Sequence, residues 1–359
     1  MSRKTVIPFG PQHPVLPEPI QLRLVLEDEK VVEALPANGY CHRGNEKIAE
    51  KKDFLQDVYL IERICGICSF MHSLNYCQGI ETLMNVTVPE RAAYLRVIWA
   101  EMHRIHSHLL FLGLLADSFG FENLFMQAWR CRETVLEMME KTAGNRILLT
   151  TCCIGGVRRD MPEPVLSELL RVLDRFDKEY GEILPVFASD VSVRRRLVGV
   201  GAIDKDSVYR LGGVGPVARA TGMPMDLRTT GYSAYGALDF TPVTQTGGDC
   251  YARMMVRALE VNQSVQLVRK AVQKIPAGPI AVEVKGNPSG ETAARIEQPR
   301  GELLFYIKGN GTKNLERFRA RTPTFANLVP LLHMLPGCQL ADVPVIVLSI
   351  DPCISCTER

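Results

Sequence analysis

Two Cys-x-x-Cys pairs, Cys65-Gly-Ile-Cys68 and Cys353-Ile-Ser-Cys356, stand near opposite ends of this 359-residue chain. In such a pair two thiolates leave one turn and converge on one metal ion, so two pairs can supply four sulfur ligands. A zinc knuckle usually joins its pairs over a short loop, but here 285 positions separate Cys68 from Cys353. A thioredoxin-like redox pair follows a strand in a βαβ unit, and no strand signal precedes Cys65. If the four thiols act together, the whole fold must bring them to one point. A buried metal centre on which the domain closes suits that spacing. Spacing alone still leaves structural zinc and coincidence open.

The rest of the chain supports a sizeable core. Apolar residues make up 46% of it, enough for one large core or two smaller ones. A net charge of +2 offers no basic surface for nucleic acid. The longest apolar runs, such as Leu109–Ala116 and Val343–Leu348, are far too short to span a bilayer. The N-terminus carries no apolar signal core. We therefore expect a cytoplasmic chain whose membrane association comes only through partners. Eleven cysteines, an odd number, without a secretion signal argue against a disulfide framework. Cys77, Cys131, Cys250, Cys338 and the adjacent Cys152 and Cys153 read as small apolar residues.

Periodicity predicts a single mainly α unit with small β regions (an α+β fold) over 1–359. The first 20 residues, with five prolines, read as extended and turn-rich. Gln21–Glu27 and Lys30–Leu35 alternate polar and apolar around Asp28-Glu29, a hairpin signal, so 1–45 is an extended and hairpin region. Residues 46–274 read as mainly helical. Pro89 opens a helix reaching Ser118, with Tyr94, Val97, Ile98, Ile105, Leu109 and Leu112 at helical spacing. Further helices are expected at about 120–142, 163–183 and 247–274. A mixed β/α region over 275–359 is expected to hold strands at Ala281–Val284, Glu302–Ile307 and Val343–Ile350, together with the second Cys-x-x-Cys.

The flanks of the two pairs narrow the reading. The first lies in Glu62-Arg-Ile-Cys-Gly-Ile-Cys-Ser-Phe-Met-His72, the second in Asp351-Pro-Cys-Ile-Ser-Cys-Thr-Glu-Arg359. Together they resemble the paired nickel-binding signatures of the nickel–iron hydrogenase large subunit, in that family's order and at its ends of the chain. Gly10-Pro-Gln-His-Pro14, Tyr40-Cys-His-Arg-Gly-Asn-Glu-Lys47, Gly213-Val-Gly-Pro216 with Ala218-Arg-Ala220, and Pro299-Arg-Gly-Glu302 look like the group 4, energy-converting branch (Ech-like and CO-induced enzymes). They also resemble the quinone-site subunit of respiratory NADH:quinone oxidoreductase. That relative lacks the four cysteines, so their presence favours the hydrogenase.

The resemblance implies a central long-helix bundle and heterolytic cleavage or formation of H2. It implies that Cys65, Cys68, Cys353 and Cys356 bind nickel, with Cys68 and Cys356 bridging to an iron that carries cyanide and carbon monoxide. It makes Cys353 the first proton acceptor and Glu18 the next relay, a buried carboxyl passing protons outward. Arg300 would hang over the nickel, Asp351 would orient Arg300, and His72 would donate to a bridging sulfur. Family members often carry an Asp where this chain has Ser107, and end their last motif in a His that helps bind a structural magnesium. Here that place is Arg359, which puts in doubt the metal that Glu46 would help hold. His103, His106 and His108 lie on one helix and read as structural. The remaining cysteines lack ferredoxin spacing, so electrons would pass through an iron–sulfur small subunit to a ferredoxin-type carrier. Further hydrophilic and integral-membrane subunits would hold the chain at the cytoplasmic side of the membrane.

Overall fold

The computed structural model describes residues 4–359. Helix Glu90–Ser118 runs through the middle and packs on Glu122–Ala143 and Cys250–Lys274, with Glu163–Ser189 alongside. It has 29 residues, about 44 Å at 1.5 Å per residue. Pro89 sits at its N-cap, where a missing N–H costs no helical bond. The helix is buried on nearly every side, including Arg96, Glu101, His103, Arg104, His106, Ser107 and His108. A helix without a solvent face must pair its polar groups internally. Arg96 therefore meets Glu81 through two bonds of 2.9 and 2.5 Å, and His108 meets Glu260 at 2.9 Å. Glu163–Ser189 is the amphipathic case: Leu166, Leu169, Leu173, Phe176, Tyr180, Ile183 and Phe187 are buried along one stripe.

Two three-stranded sheets flank the bundle. Gln21–Glu27 pairs antiparallel with Lys30–Ala37, turning the alternate Leu22, Leu24 and Leu26 inward. Lys4–Phe9 adds a third strand on the other edge, inside the segment read as extended and turn-rich. Pro8 is tolerated there because an edge strand need not donate from every residue. The second sheet is a meander of Ser289–Gln298, Gly301–Asn310 and Leu315–Arg321, which packs on helix Ser69–Leu83.

Two expected strands are absent. Val343–Ser349 is a short helix with Pro344 in its first turn. A continuous apolar run buried all round has no period that separates strand from helix. Ala281–Val284 makes only a single bridge, Ala281 to Gly156. Among the described residues, no helix is long and apolar enough to cross a membrane.

Candidate metal centre

Each Cys-x-x-Cys lies where a loop enters a helix. The first follows helix Phe54–Glu62, and Cys68 is the N-cap of Ser69–Leu83. The second follows Val343–Ser349 after a turn in which Asp351 has φ 56°, and Cys353 is the N-cap of Ile354–Glu358. The two loops face each other. Cys65 Sγ lies 3.2 Å from Cys353 Sγ, and Cys68 Sγ lies 3.3 Å from Cys356 Sγ. All four sulfurs fall within 4.8 Å of one another, and all four residues are buried. Thiolates bound about 2.3 Å from one ion stand about 3.8 Å apart, so the spread fits a thiophilic metal. Among the described residues this is the group of acids, histidines and cysteines that could hold one. Four such close thiols share their protons unequally. Burial opposes ionisation of Cys68, but the sulfurs around it and His72 hold its thiol well below its ordinary range. Burial and the sulfurs of Cys353, Cys65 and Cys68 push Cys356 well up. A metal displaces those protons on binding.

The other expected site residues lie around the sulfurs. His72 Nε2 is 3.2 Å from Cys356 Sγ, its ring stacked on Phe305. Arg300 donates from Nη2 to Asp351 Oδ1 at 2.8 Å and from Nε to the Asp351 carbonyl at 2.7 Å. Its Nη1 is 3.5 Å from Ser107 Oγ. Burial works against the Arg300 charge, but Asp351 and the sulfurs of Cys353, Cys68 and Cys65 hold its proton firmly. Arg300 sits in the tight turn between two strands. A Cβ on Gly215 would lie 2.4 Å from Gly301 Cα and 2.5 Å from the Arg300 carbonyl. Only glycine lets the 211–216 loop press against the backbone that aims Arg300.

Glu18 is half-buried rather than buried. Its carboxylate accepts from the backbone N–H groups of Ile354 and Ser355 and from the Ser355 hydroxyl. It therefore caps the last helix from outside, where the dipole favours an anion. His103 and His106 both reach the Ile67 carbonyl, at 3.3 and 3.0 Å, inside the first Cys-x-x-Cys. Arg132 donates to His106 Nδ1, which leaves Nε2 to carry the proton toward Ile67. These two histidines brace the loop.

Several supporting residues carried no individual signal in the sequence. Arg43 donates to the Arg63 and Ile64 carbonyls, just before Cys65, and to the Ser355 carbonyl, just before Cys356. Thr324 Oγ1 accepts from the Cys353 N–H at 3.1 Å, and Thr322 Oγ1 donates to the Cys356 carbonyl at 3.1 Å. Arg219 pairs with Glu260 at 2.8 Å and Glu297 at 2.7 Å, and Arg228 with Asp226 at 2.8 Å. Arg43 and Arg219 stand within motifs already singled out, but nothing there indicated what they touch. Glu46 does not fit a metal site: its Oε1 accepts from Arg359 Nε at 2.7 Å and from the Ala320 N–H at 3.0 Å.

Comparison with known proteins extends the picture. Residues 43–117 match the family described as nickel-dependent hydrogenase. Residues 118–287 and 282–359 match that described as the 49 kDa subunit of respiratory-chain NADH dehydrogenase. The carbon monoxide-induced hydrogenase of Rhodospirillum rubrum is 39% identical, over 98% of this chain and 99% of that protein. The alpha subunit of the membrane-bound hydrogenase of Pyrococcus furiosus is also 39% identical, over 98% of this chain and 87% of that one. An NADH-quinone oxidoreductase subunit of Dehalococcoides mccartyi is 37% identical, over 96% of each chain. A chain of the membrane-bound sulfane sulfur reductase, an archaeal respiratory membrane complex, superposes with TM-score 0.94 at 29% identity, over 99% of this chain and 98% of that one. This chain belongs to the family that unites the large subunits of nickel-dependent hydrogenases with the 49 kDa subunit of respiratory NADH dehydrogenase.

Proposed function

We propose that this chain is the catalytic large subunit of a membrane-associated, multisubunit nickel–iron hydrogenase, interconverting H2 with two protons and two electrons. The observation that carries the reading is the buried set of four sulfurs. A subunit with no metal chemistry has no reason to converge four thiols from opposite ends of its chain in its core. Cys65, Cys68, Cys353 and Cys356 would hold nickel, with Cys68 and Cys356 shared with an iron bearing cyanide and carbon monoxide. When bound, that group supplies the heterolytic H2 chemistry.

The chain's own residues then have distinct tasks. The Arg300 guanidinium is a fixed positive charge beside the sulfurs, and Asp351 locks its orientation. His72 donates toward Cys356 Sγ and so withdraws electron density from that sulfur. Cys353 Sγ takes the proton first. Glu18, bonded to the very next backbone N–H, receives it and hands it outward. Electrons leave through an iron–sulfur small subunit to a ferredoxin-type carrier. A relative named as a membrane-bound hydrogenase subunit supports a place in a membrane complex; on this reading the chain lies at its cytoplasmic side and the complex couples the reaction to ion pumping.

A second reading has its own support. The 49 kDa description covers more of the chain than the hydrogenase one, so the protein would be a non-catalytic quinone-oxidoreductase-type subunit with a vestigial site. A structural zinc protein is the third. Elemental analysis of the complex purified without oxygen separates them. The hydrogenase reading expects one nickel per chain, the quinone-type reading none, and the zinc reading stoichiometric zinc.

A further inference from the structure

We propose that a guanidinium clasp replaces the structural divalent cation that the hydrogenase resemblance implies near Glu46. Arg359 closes the last helix onto the Tyr40–Lys47 segment, so the second Cys-x-x-Cys is held in register without magnesium or a similar ion. A hard divalent cation needs about six oxygen ligands with free lone pairs. Here the carboxylates are already filled by N–H donors. Glu46 Oε1 takes Arg359 Nε at 2.7 Å and the Ala320 N–H at 3.0 Å, and Oε2 takes Arg319 Nη1 at 3.4 Å. Glu358 accepts from the Gly39 N–H at 2.6 Å and from the Cys41 N–H. His42 Nδ1 is turned to the Glu358 carbonyl at 2.6 Å. Two guanidinium charges converge on Glu46, and either would repel an incoming cation.

The clasp is well built for that role. The Arg359 side chain is only 10% exposed and that of Glu46 16%, so water screens the pair weakly. Arg359 Nη1 donates to the Thr357 carbonyl at 2.7 Å, and the guanidinium lies 5.3 Å from the centre of the Phe325 ring. Arg43 supplies a second arm through the carbonyls of Ile64, at 2.6 Å, and Ser355, at 3.2 Å. Arginine's rigid fork of five donors reaches several acceptors at once, as an ion would. Arg359 and Arg43 are thus positioning residues that act through the backbone carrying Cys353 and Cys356.

The test uses the purified native complex, with nickel measured in parallel so that loss of the metal centre and loss of the clasp are told apart. Divalent-metal content is measured before and after chelator, and amide hydrogen exchange is followed over residues 353–358. Magnesium, calcium and manganese are expected to be substoichiometric, and chelator to leave exchange unchanged. Arg359→Met, which keeps the stem and removes the charge, is expected to speed exchange in that segment by about tenfold or more; Arg359→Lys lies between. A stoichiometric divalent ion whose removal loosens the segment would overturn the proposal. So would an Arg359→Met protein with wild-type exchange. If Arg359→Met does not accumulate, Arg359→Lys and Glu46→Gln decide, and wild-type exchange in both counts against the clasp.

Discussion

Replacing Arg300 by methionine tests how the charge above the sulfurs is held. Arg300 is 2% exposed and Asp351 7%, and Asp351 Oδ2 has no hydrogen-bond partner even in the intact protein. Methionine fills much of the arginine stem's volume but removes the donors to Asp351 Oδ1 and to the Asp351 carbonyl. The carboxylate is then buried with neither oxygen paired. Breaking a buried ion pair from one side costs about 3–5 kcal/mol. With unfolding entropy of about 2.1 cal/mol/K per residue, a chain of this length loses about 5 °C of melting temperature for about 4 kcal/mol. The assay is calorimetric melting of Arg300→Met, Asp351→Asn and the double variant. Asp351→Asn leaves no orphan carboxylate, so the double variant should melt well above the sum of the single losses. The expected coupling is about 2 kcal/mol, within the usual range for contacting residues. Strict additivity would refute the claim that Asp351 and Arg300 form one unit. Arg300→Lys keeps the charge without the fork and is expected to retain nickel while slowing H2 turnover.

Glu18→Gln is expected to leave nickel content intact and slow H2/D2 exchange by about a hundredfold or more, the usual worth of a positioned proton-transfer group. Loss of nickel instead would make Glu18 a helix cap alone. Acid should destabilise the bundle through its buried histidines. Burial lowers His103 and His108 from 6.5 to about 4. Between those values the unfolded chain binds more protons than the folded one, so stability is full above about pH 6.5 and falls as pH drops toward 4. His108→Gln should flatten the melting-temperature slope between pH 6.5 and 4, and an unchanged slope would rule out its contribution.

What the sequence revealed divides by the range of the interactions concerned. The sulfur pairs were legible because thiol chemistry is local and few residue types share it. Helix Glu90–Ser118 was legible because Pro89 opens it and apolar residues recur at helical spacing among polar ones over 29 residues, a run too long for a strand. Arg300 and Asp351 came through resemblance, since nothing in a bare Gln-Pro-Arg-Gly says what the arginine faces. The misses are long-range or featureless. Arg219 meets Glu297 across 78 positions, a pairing no spacing rule shows. Thr322 and Thr324 look like any residues at a helix start, yet they fix the backbone of Cys356 and Cys353. Val343–Ser349 misled because full burial erases periodicity. The resemblance implies a buried proton-relay carboxyl at Glu18. The carboxylate is half-buried and also caps the last helix.

Infrared spectroscopy of the complex purified without oxygen, with nickel counted in the same sample, tests the central claim most directly. The account expects one nickel per chain together with bands from metal-bound cyanide and carbon monoxide, lost when Cys68 or Cys356 is replaced. Active, nickel-replete protein without those bands would contradict it.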